Sequence, residues 1–351
     1  MWLHREFSIE CEADLVTLTM KHQSITLNTV FELKNRTQVK EFFLLGMSDD
    51  FEVQVLLLLI FSVFFLVTMV GNALIISIIV LCSRLHNPMY FFLCNLSFLD
   101  ICYSSVTVPK MLSNLLAERK TISFYGCIAQ MYFFHVLGSA EMFLLAVMAY
   151  DRYVAICNPL RYPTIMSWKA SAQLAAAAWL GGFTHSTLHT ALILRLSFCG
   201  PNLIEHFFCD ATPLLVLSCS DTSVDEVLIL TTPGVLGPSC FLLILVSYCY
   251  IISSILKIRS AEGRKKTFST CASHVMVVSV FYGTGVFVYI QPMSVYSAAN
   301  NSFITVFYAV ITPMLNPIIY ALRNKDVKGA MKTVLCKKRT IVGKTEIVNI
   351  F

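Results

Sequence analysis

"TFSTCASHVMVVSVFYGTGVFVYIQPMSVYSAANNSFITVFYAVITPMLNPIIYAL", residues 267 to 322, runs for 56 positions without an Asp, Glu, Lys or Arg. An α-helix crosses the roughly 30 Å of bilayer hydrocarbon in about 20 residues, so this stretch is about twice too long for one span. Gln291-Pro292 and the polar run "SAANNS" (297–302) fall near its middle and supply turn signals. The stretch therefore reads as two spans. Working outward, five more charge-poor runs follow the same rule: Val53 to Ser83, Leu85 to Pro109 interrupted by Asp100, Thr121 to Tyr150 interrupted by Glu141, Ala170 to Leu194, and Val227 to Leu256. The expected fold class is an all-α membrane protein with a seven-helix bundle at 53–322, preceded by a largely disordered segment, 1–52, and followed by a tail, 323–351.

Bulk composition agrees. Of the 351 residues 56% are hydrophobic and 13% charged, against about 25% charged in soluble domains. Assigned to alternate sides, the loops and ends give one face 17 Lys/Arg against 4 Asp/Glu and the other 9 against 15, with Asp100 and Glu141 left inside spans. Basic loops stay in the cytoplasm, so the N-terminus is expected outside and the C-terminus inside. The sequon Asn35-Arg36-Thr37 then lies where glycosylation is possible. Residues 1–34 lack a continuous apolar core, so no cleavable signal peptide is expected; they read as a largely disordered extension of a chain that can equally begin at Met20. No paired repeat with broken helices suggests a transporter, and no nucleophile with a positioned base suggests an enzyme. Nothing points to nucleic acid.

Thirteen cysteines show no C-x-x-C spacing. Four fall on the outer side of the span region: Cys127 where span three starts, and Cys199, Cys209 and Cys219 between spans four and five. They allow three pairings, either tying the loop to span three or closing it on itself. Cys94, Cys102, Cys240 and Cys249 read as packing residues, and Cys336 beside Lys337, Lys338 and Arg339 as a palmitoylation candidate.

Charged and polar residues inside the spans carry the functional expectations. "MAYDRYVAIC" (148–157) ends span three with adjacent opposite charges, Asp151 and Arg152, which mark either a helix end at the membrane surface or a switch. Asp100 and Glu141 are intramembrane carboxylates, functional candidates that need either a partner or a proton. His185 and His189 stand one turn apart, but with no acidic or cysteine partner at metal spacing they read as packing residues.

The seven spans, the Asp-Arg-Tyr triplet and "NPIIY" (316–320) resemble the rhodopsin-like G-protein-coupled receptors. The longer motifs "LHNPMYFFLCNLSFLD" (85–100), "MAYDRYVAICNPLRY" (148–162), "SY" (247–248), "KKTFSTCASH" (265–274), "FYGT" (281–284) and "PMLNPIIYALRNKDVKGA" (313–330) resemble those of olfactory (odorant) receptors. Thr267, where alanine is common, and the long stretch before Asn35 are departures.

The resemblance implies an odorant receptor of the plasma membrane, on the cilia of olfactory neurons. It would bind a small, mostly apolar, neutral odorant and activate a stimulatory, olfactory-type G protein to raise cyclic AMP, with accessory trafficking proteins and membrane lipids as further partners. A non-olfactory chemosensor for a metabolite or steroid is the alternative. It implies the bridges Cys127–Cys209 and Cys199–Cys219 and a short amphipathic eighth helix after span seven. The implied switch is Asp151, Arg152 and Tyr153 with Tyr248, Asn316, Pro317 and Tyr320. Asn72 and Asn316 would stand near Asp100 and Glu141, where the oxygens would hold an allosteric sodium ion unless the carboxyls are protonated and hydrogen-bonded, and no other cofactor is implied. The implied pocket takes Phe134, His135, Gly138, Ser139 and Met142 from span three, and Thr232 and Leu236 from span five. Tyr282, Gly285, Val286 and Tyr289 join from span six, Val306 and Ala309 from span seven. Helical spacing independently puts 135, 138, 139 and 142 on one face, and 282, 285, 286 and 289 on another. His135 can serve the pocket or simply pack.

Overall fold

A computed structural model describes residues 39–48, 50–199, 202–289, 306–324 and 326–333. Asn35, the 297–302 turn and Cys336 lie outside the described residues.

The long helices are α1 (Phe51–Leu81), α2 (Pro88–Leu115), α3 (Phe124–Cys157), α5 (Trp168–Leu194), α7 (Ser223–Leu256) and α8 (Ala261–Tyr289). Short helices α4 (Tyr162–Ile165) and α6 (Ala211–Val216) lie between them, and a π-helical turn, Phe307–Ile311, leads into α9 (Thr312–Arg323). Among the described residues α1, α2, α3 and α7 are long and apolar enough to cross a membrane. Polar residues start several of them. Asp50 accepts from the N–H groups of Glu52 and Val53, Asn87 from Tyr90 just behind Pro88, Ser123 from Gly126 and Ser167 from Ala170, each satisfying an otherwise orphaned donor. Most of the helices outrun their charge-free stretches, α7 and α8 at their starts, by taking in Asp225-Glu226 and the charges of 262–266. α2 continues through Pro109 and Lys110 to Leu115, and α3 passes Asp151-Arg152 to Cys157, because a charge near a helix end can reach toward water or pair with its neighbour without ending the helix.

The packing is that of a membrane bundle. α1 exposes Leu56, Leu59, Val63 and Leu66 while burying Thr68 and Asn72. α5 meets α3 through a stripe of small residues, Ala175, Ala178, Gly182 and Ser186, all buried. A Cβ on Gly182 would stand 2.5 Å from the Val136 carbonyl oxygen, so only glycine permits this approach. Cys240 is buried, whereas Cys249 is exposed.

The segment expected to be largely disordered contributes a strand, β1 (Glu41–Leu44). It pairs antiparallel with β2 (Thr121–Ser123) and parallel with β3 (Leu203–Ile204), in the order β2-β1-β3. Its alternation buries Phe42 and Leu44, and the Phe42 ring meets Phe124 and Phe198 at 6.0 and 5.8 Å. Cys127–Cys209 (S–S 2.04 Å, Cα–Cα 5.3 Å) ties the loop between α5 and α7 to α3, and Cys199 pairs with Cys219 inside that loop. At the opposite end residues 326–333 are helical, started by Asn324 Oδ1 accepting from the N–H groups of Asp326 and Val327.

Candidate functional site

At the Arg152 end, α3 buries both charges: Asp151 is 1% and Arg152 8% exposed. Arg152 Nε and Nη2 donate to Asp151 Oδ2 at 3.1 and 2.5 Å, and the Tyr162 hydroxyl on α4 donates to Oδ1 at 2.8 Å. Taking either charge from water is costly alone, so the pair holds only as a matched unit. Tyr153 is turned away and packs on Tyr150 and Tyr250, with centroids 6.2 and 5.7 Å apart. Tyr248 is engaged elsewhere: its hydroxyl lies 2.8 Å from His274 Nδ1, and His274 Nε2 lies 3.1 Å from the Leu145 carbonyl oxygen. A carbonyl only accepts, so Nε2 carries the proton and Nδ1 accepts from Tyr248. His274 therefore joins α8 to α3 and α7. The sequence placed it in a motif without a role; a lone histidine in an apolar span was the available signal. Asp151, Arg152, His274, Tyr320 and Asn324 help line a cavity of about 20 Å³, room for about one water.

One layer deeper, Asn316 Nδ2 donates to both oxygens of Asp100, at 3.0 and 3.1 Å. Asn72 Nδ2 donates to the Thr68 and Pro313 carbonyls at 3.1 and 3.2 Å, joining α1 to α9. Pro317 sits against Gly71, where a Cβ would lie 3.0 Å from the proline ring. Asn72 Oδ1, Glu141 Oε1, Asn316 Oδ1 and Ser104 Oγ are buried oxygens without hydrogen-bond partners. An all-oxygen donor set with two carboxyls suits a hard cation.

The disulfide end gathers the α3 residues expected to face a ligand. Phe134 is buried between Tyr103 and Phe208, with centroids 4.9 and 4.7 Å apart, and Gly138 leaves room beside Tyr103. Ser139 turns to α5, its hydroxyl 2.9 Å from His185 Nδ1. Met142 reaches toward Gly237 on α7, and Leu236 beside it is half-buried. Tyr282 packs on Phe241 at 5.0 Å, and Val306 and Ala309 are buried in the same apolar cluster as Phe134. Thr232, Gly285, Val286 and Tyr289 lie on described helix, but their side chains are outside the described residues.

Residues without an assigned role complete this end. His135 Nε2 lies 3.1 Å from Asp210 Oδ1, which also accepts from the Ala211 N–H at 2.7 Å. Burial opposes the Asp210 charge, but His135 and the Ala211 amide outweigh it and hold the carboxyl below the usual carboxylate range. An ionised carboxylate only accepts, so His135 Nε2 bears the proton. His206 packs on Phe207 and Phe208 at 4.7 and 4.5 Å; burial pushes its imidazole down to about 4, with Asp210 partly opposing. Gln130 accepts from the Cys209 N–H and donates to the Val106 carbonyl, both at 3.0 Å, tying loop and α2 to α3. Asp210 and Gln130 escaped the sequence reading because their partners are remote in the chain.

An olfactory receptor family profile matches residues 61–338. The chain is 52% identical to mouse olfactory receptor 4E2 over 298 residues, 85% of this chain and 96% of that protein. It is 51% identical to mouse olfactory receptor 5AP2 over 302 residues (86% and 95%) and 48% identical to human olfactory receptor 5B12 over 311 residues (89% and 99%). With its apolar helices, its bridged loop and its clasped Asp151–Arg152 pair, this multi-pass membrane chain belongs to the olfactory receptor family.

Proposed function

We propose that the chain is an odorant receptor that threads the membrane seven times, N-terminus outside, in the ciliary membrane of olfactory neurons. A small, mostly apolar, neutral odorant binds between α3, α7, α8 and the 306–309 segment that leads into α9, beneath the bridged loop. A stimulatory, olfactory-type G protein docks at the Arg152 end and raises cyclic AMP. The observation that carries this reading is the clasp: Arg152 is held by Asp151 and Tyr162 while Tyr248 is held by His274, the arrangement expected of a resting switch. Release of Arg152 exposes a cation to the G protein, and Tyr248 and Tyr320 turn toward it as α8 swings away. Ligand outside and G protein inside bias one two-state equilibrium, so each strengthens the other's binding.

Within this reading the oxygens around Asp100 and Glu141 hold a sodium ion that favours the resting state. Residues 326–333 lie on the inner leaflet as an amphipathic eighth helix, Asn35 carries a glycan, and accessory proteins bring the receptor to the surface. The test is a panel of diverse volatiles applied to cells that supply those accessory proteins, with cyclic AMP as the readout. An agonist response is expected, and Arg152→Ala should abolish it while surface expression stays measurable. A full response in that variant, or ligand-independent solute flux through purified protein, would overturn the reading.

A further inference from the structure

Three imidazoles from two helices meet beneath the bridged loop. His185 and His189 stack on α5 with centroids 4.2 Å apart, and His135 on α3 lies 6.4 and 5.8 Å from them. Each of two rings has one nitrogen engaged and the other bare. His135 uses Nε2 on Asp210 and His185 uses Nδ1 on Ser139, leaving His135 Nδ1 and His185 Nε2 buried without partners. Both nitrogens of His189 are bare.

Bare buried nitrogens are costly unless something takes them. The pattern of engaged and bare nitrogens is that of metal-ligating histidine, in which the second nitrogen is oriented by a carboxylate or another polar group. We propose that His135, His185 and His189 bind one borderline divalent ion, Zn²⁺ or Cu²⁺, with Asp210 and Ser139 orienting two of the rings. Two imidazoles on one tetrahedral ion, with metal–nitrogen bonds of about 2.0–2.1 Å, place their centroids about 5 Å apart; the three separations here bracket that value. As the rings stand, no three such donors converge among the described residues, so binding requires the His189 ring to turn. That ring has no hydrogen bond to lose. His135 is 19% and Asp210 29% exposed, giving an ion a way in. The bound ion would link α3 to α5 and leave a fourth position for water or another donor.

The test uses purified full-length receptor titrated with Cu²⁺ alone and read by electron paramagnetic resonance. One equivalent with hyperfine coupling to three imidazole nitrogens is expected in the unmutated protein, a readout that needs no variant to fold. His189→Phe and His185→Phe should each weaken binding at least about tenfold, and Asp210→Asn about 10- to 100-fold. His206→Leu should leave binding unchanged. Failure to bind an equivalent, or binding lost in His206→Leu but kept in His189→Phe, would overturn the assignment. Because no odorant takes part, the outcome is independent of the receptor reading.

Discussion

The two ends of the bundle treat their polar groups in opposite ways. At the Arg152 end they satisfy one another: both Asp151 oxygens, two Arg152 nitrogens, the Tyr162 and Tyr248 hydroxyls and both His274 nitrogens are engaged. Among the described residues the exceptions include the hydroxyls of Tyr320 and Ser273, which border the small cavity, and that of Ser171 in the first turn of α5. At the disulfide end His135, His185, His189 and His206 all keep at least one bare buried nitrogen. A closed network stores a state that must be broken to change; an end with bare groups has free energy available to whatever fills it. On the proposed reading, one end releases a charge and the other accepts a partner.

The largest predicted effect comes from breaking the closed end. Asp151→Asn removes the charge that compensates Arg152 in a buried setting, a loss of about 3–5 kcal/mol for such pairs. A lower melting temperature and raised basal cyclic AMP are expected, the opposite of the silencing expected from Arg152→Ala. Basal signalling measured at matched surface expression decides; an unchanged baseline in Asp151→Asn would mean that the clasp does not hold the resting state. Tyr162→Phe acts in the same direction but removes only one hydrogen bond to a charged group, worth about 1.5–3 kcal/mol. Its baseline should fall between those of the unmutated receptor and Asp151→Asn.

How much of this was legible from the chain differs between the same two ends. The long apolar helices and the Asp151–Arg152 pairing were readable because lipid imposes long charge-free runs and because Asp151 and Arg152 are neighbours in sequence. The roles of Tyr162 and His274 were not, since each depends on where its helix returns to α3. At the disulfide end Asp210 is 75 positions from His135, and β1 from the N-terminal segment pairs with two remote loops. Such contacts have no local signature. The His185–His189 pair was visible as a one-turn spacing, but the group that changes its meaning comes from another helix.

A third prediction sharpens the contrast through pH. The folded-state value of His206, about 4, lies below the ordinary 6.5, so the unfolded chain binds the proton more readily. Its contribution is therefore absent above about pH 6.5, and stability falls as pH drops from there toward 4. At pH 5 the loss from this one group is about 2 kcal/mol. Asp210, held below the carboxylate range, stays ionised through that window and its contribution is lost only at lower pH. Melting the purified receptor at pH 7.4 and 5.0 should show a larger drop for the unmutated protein than for His206→Leu. Equal drops would remove His206 as the source.

The smallest effect tests whether the bare end is tuned or merely unfilled. Ser139→Ala removes the hydroxyl at His185 Nδ1. A net hydrogen bond is worth about 0.5–1.5 kcal/mol, so the melting temperature should shift slightly and the Arg152 clasp should be untouched. Basal cyclic AMP is expected to stay at the unmutated level, because Ser139 sits more than three helical turns from Arg152 along α3. A raised baseline would instead couple the two ends through α3 without any ligand, making the histidine cluster part of the switch.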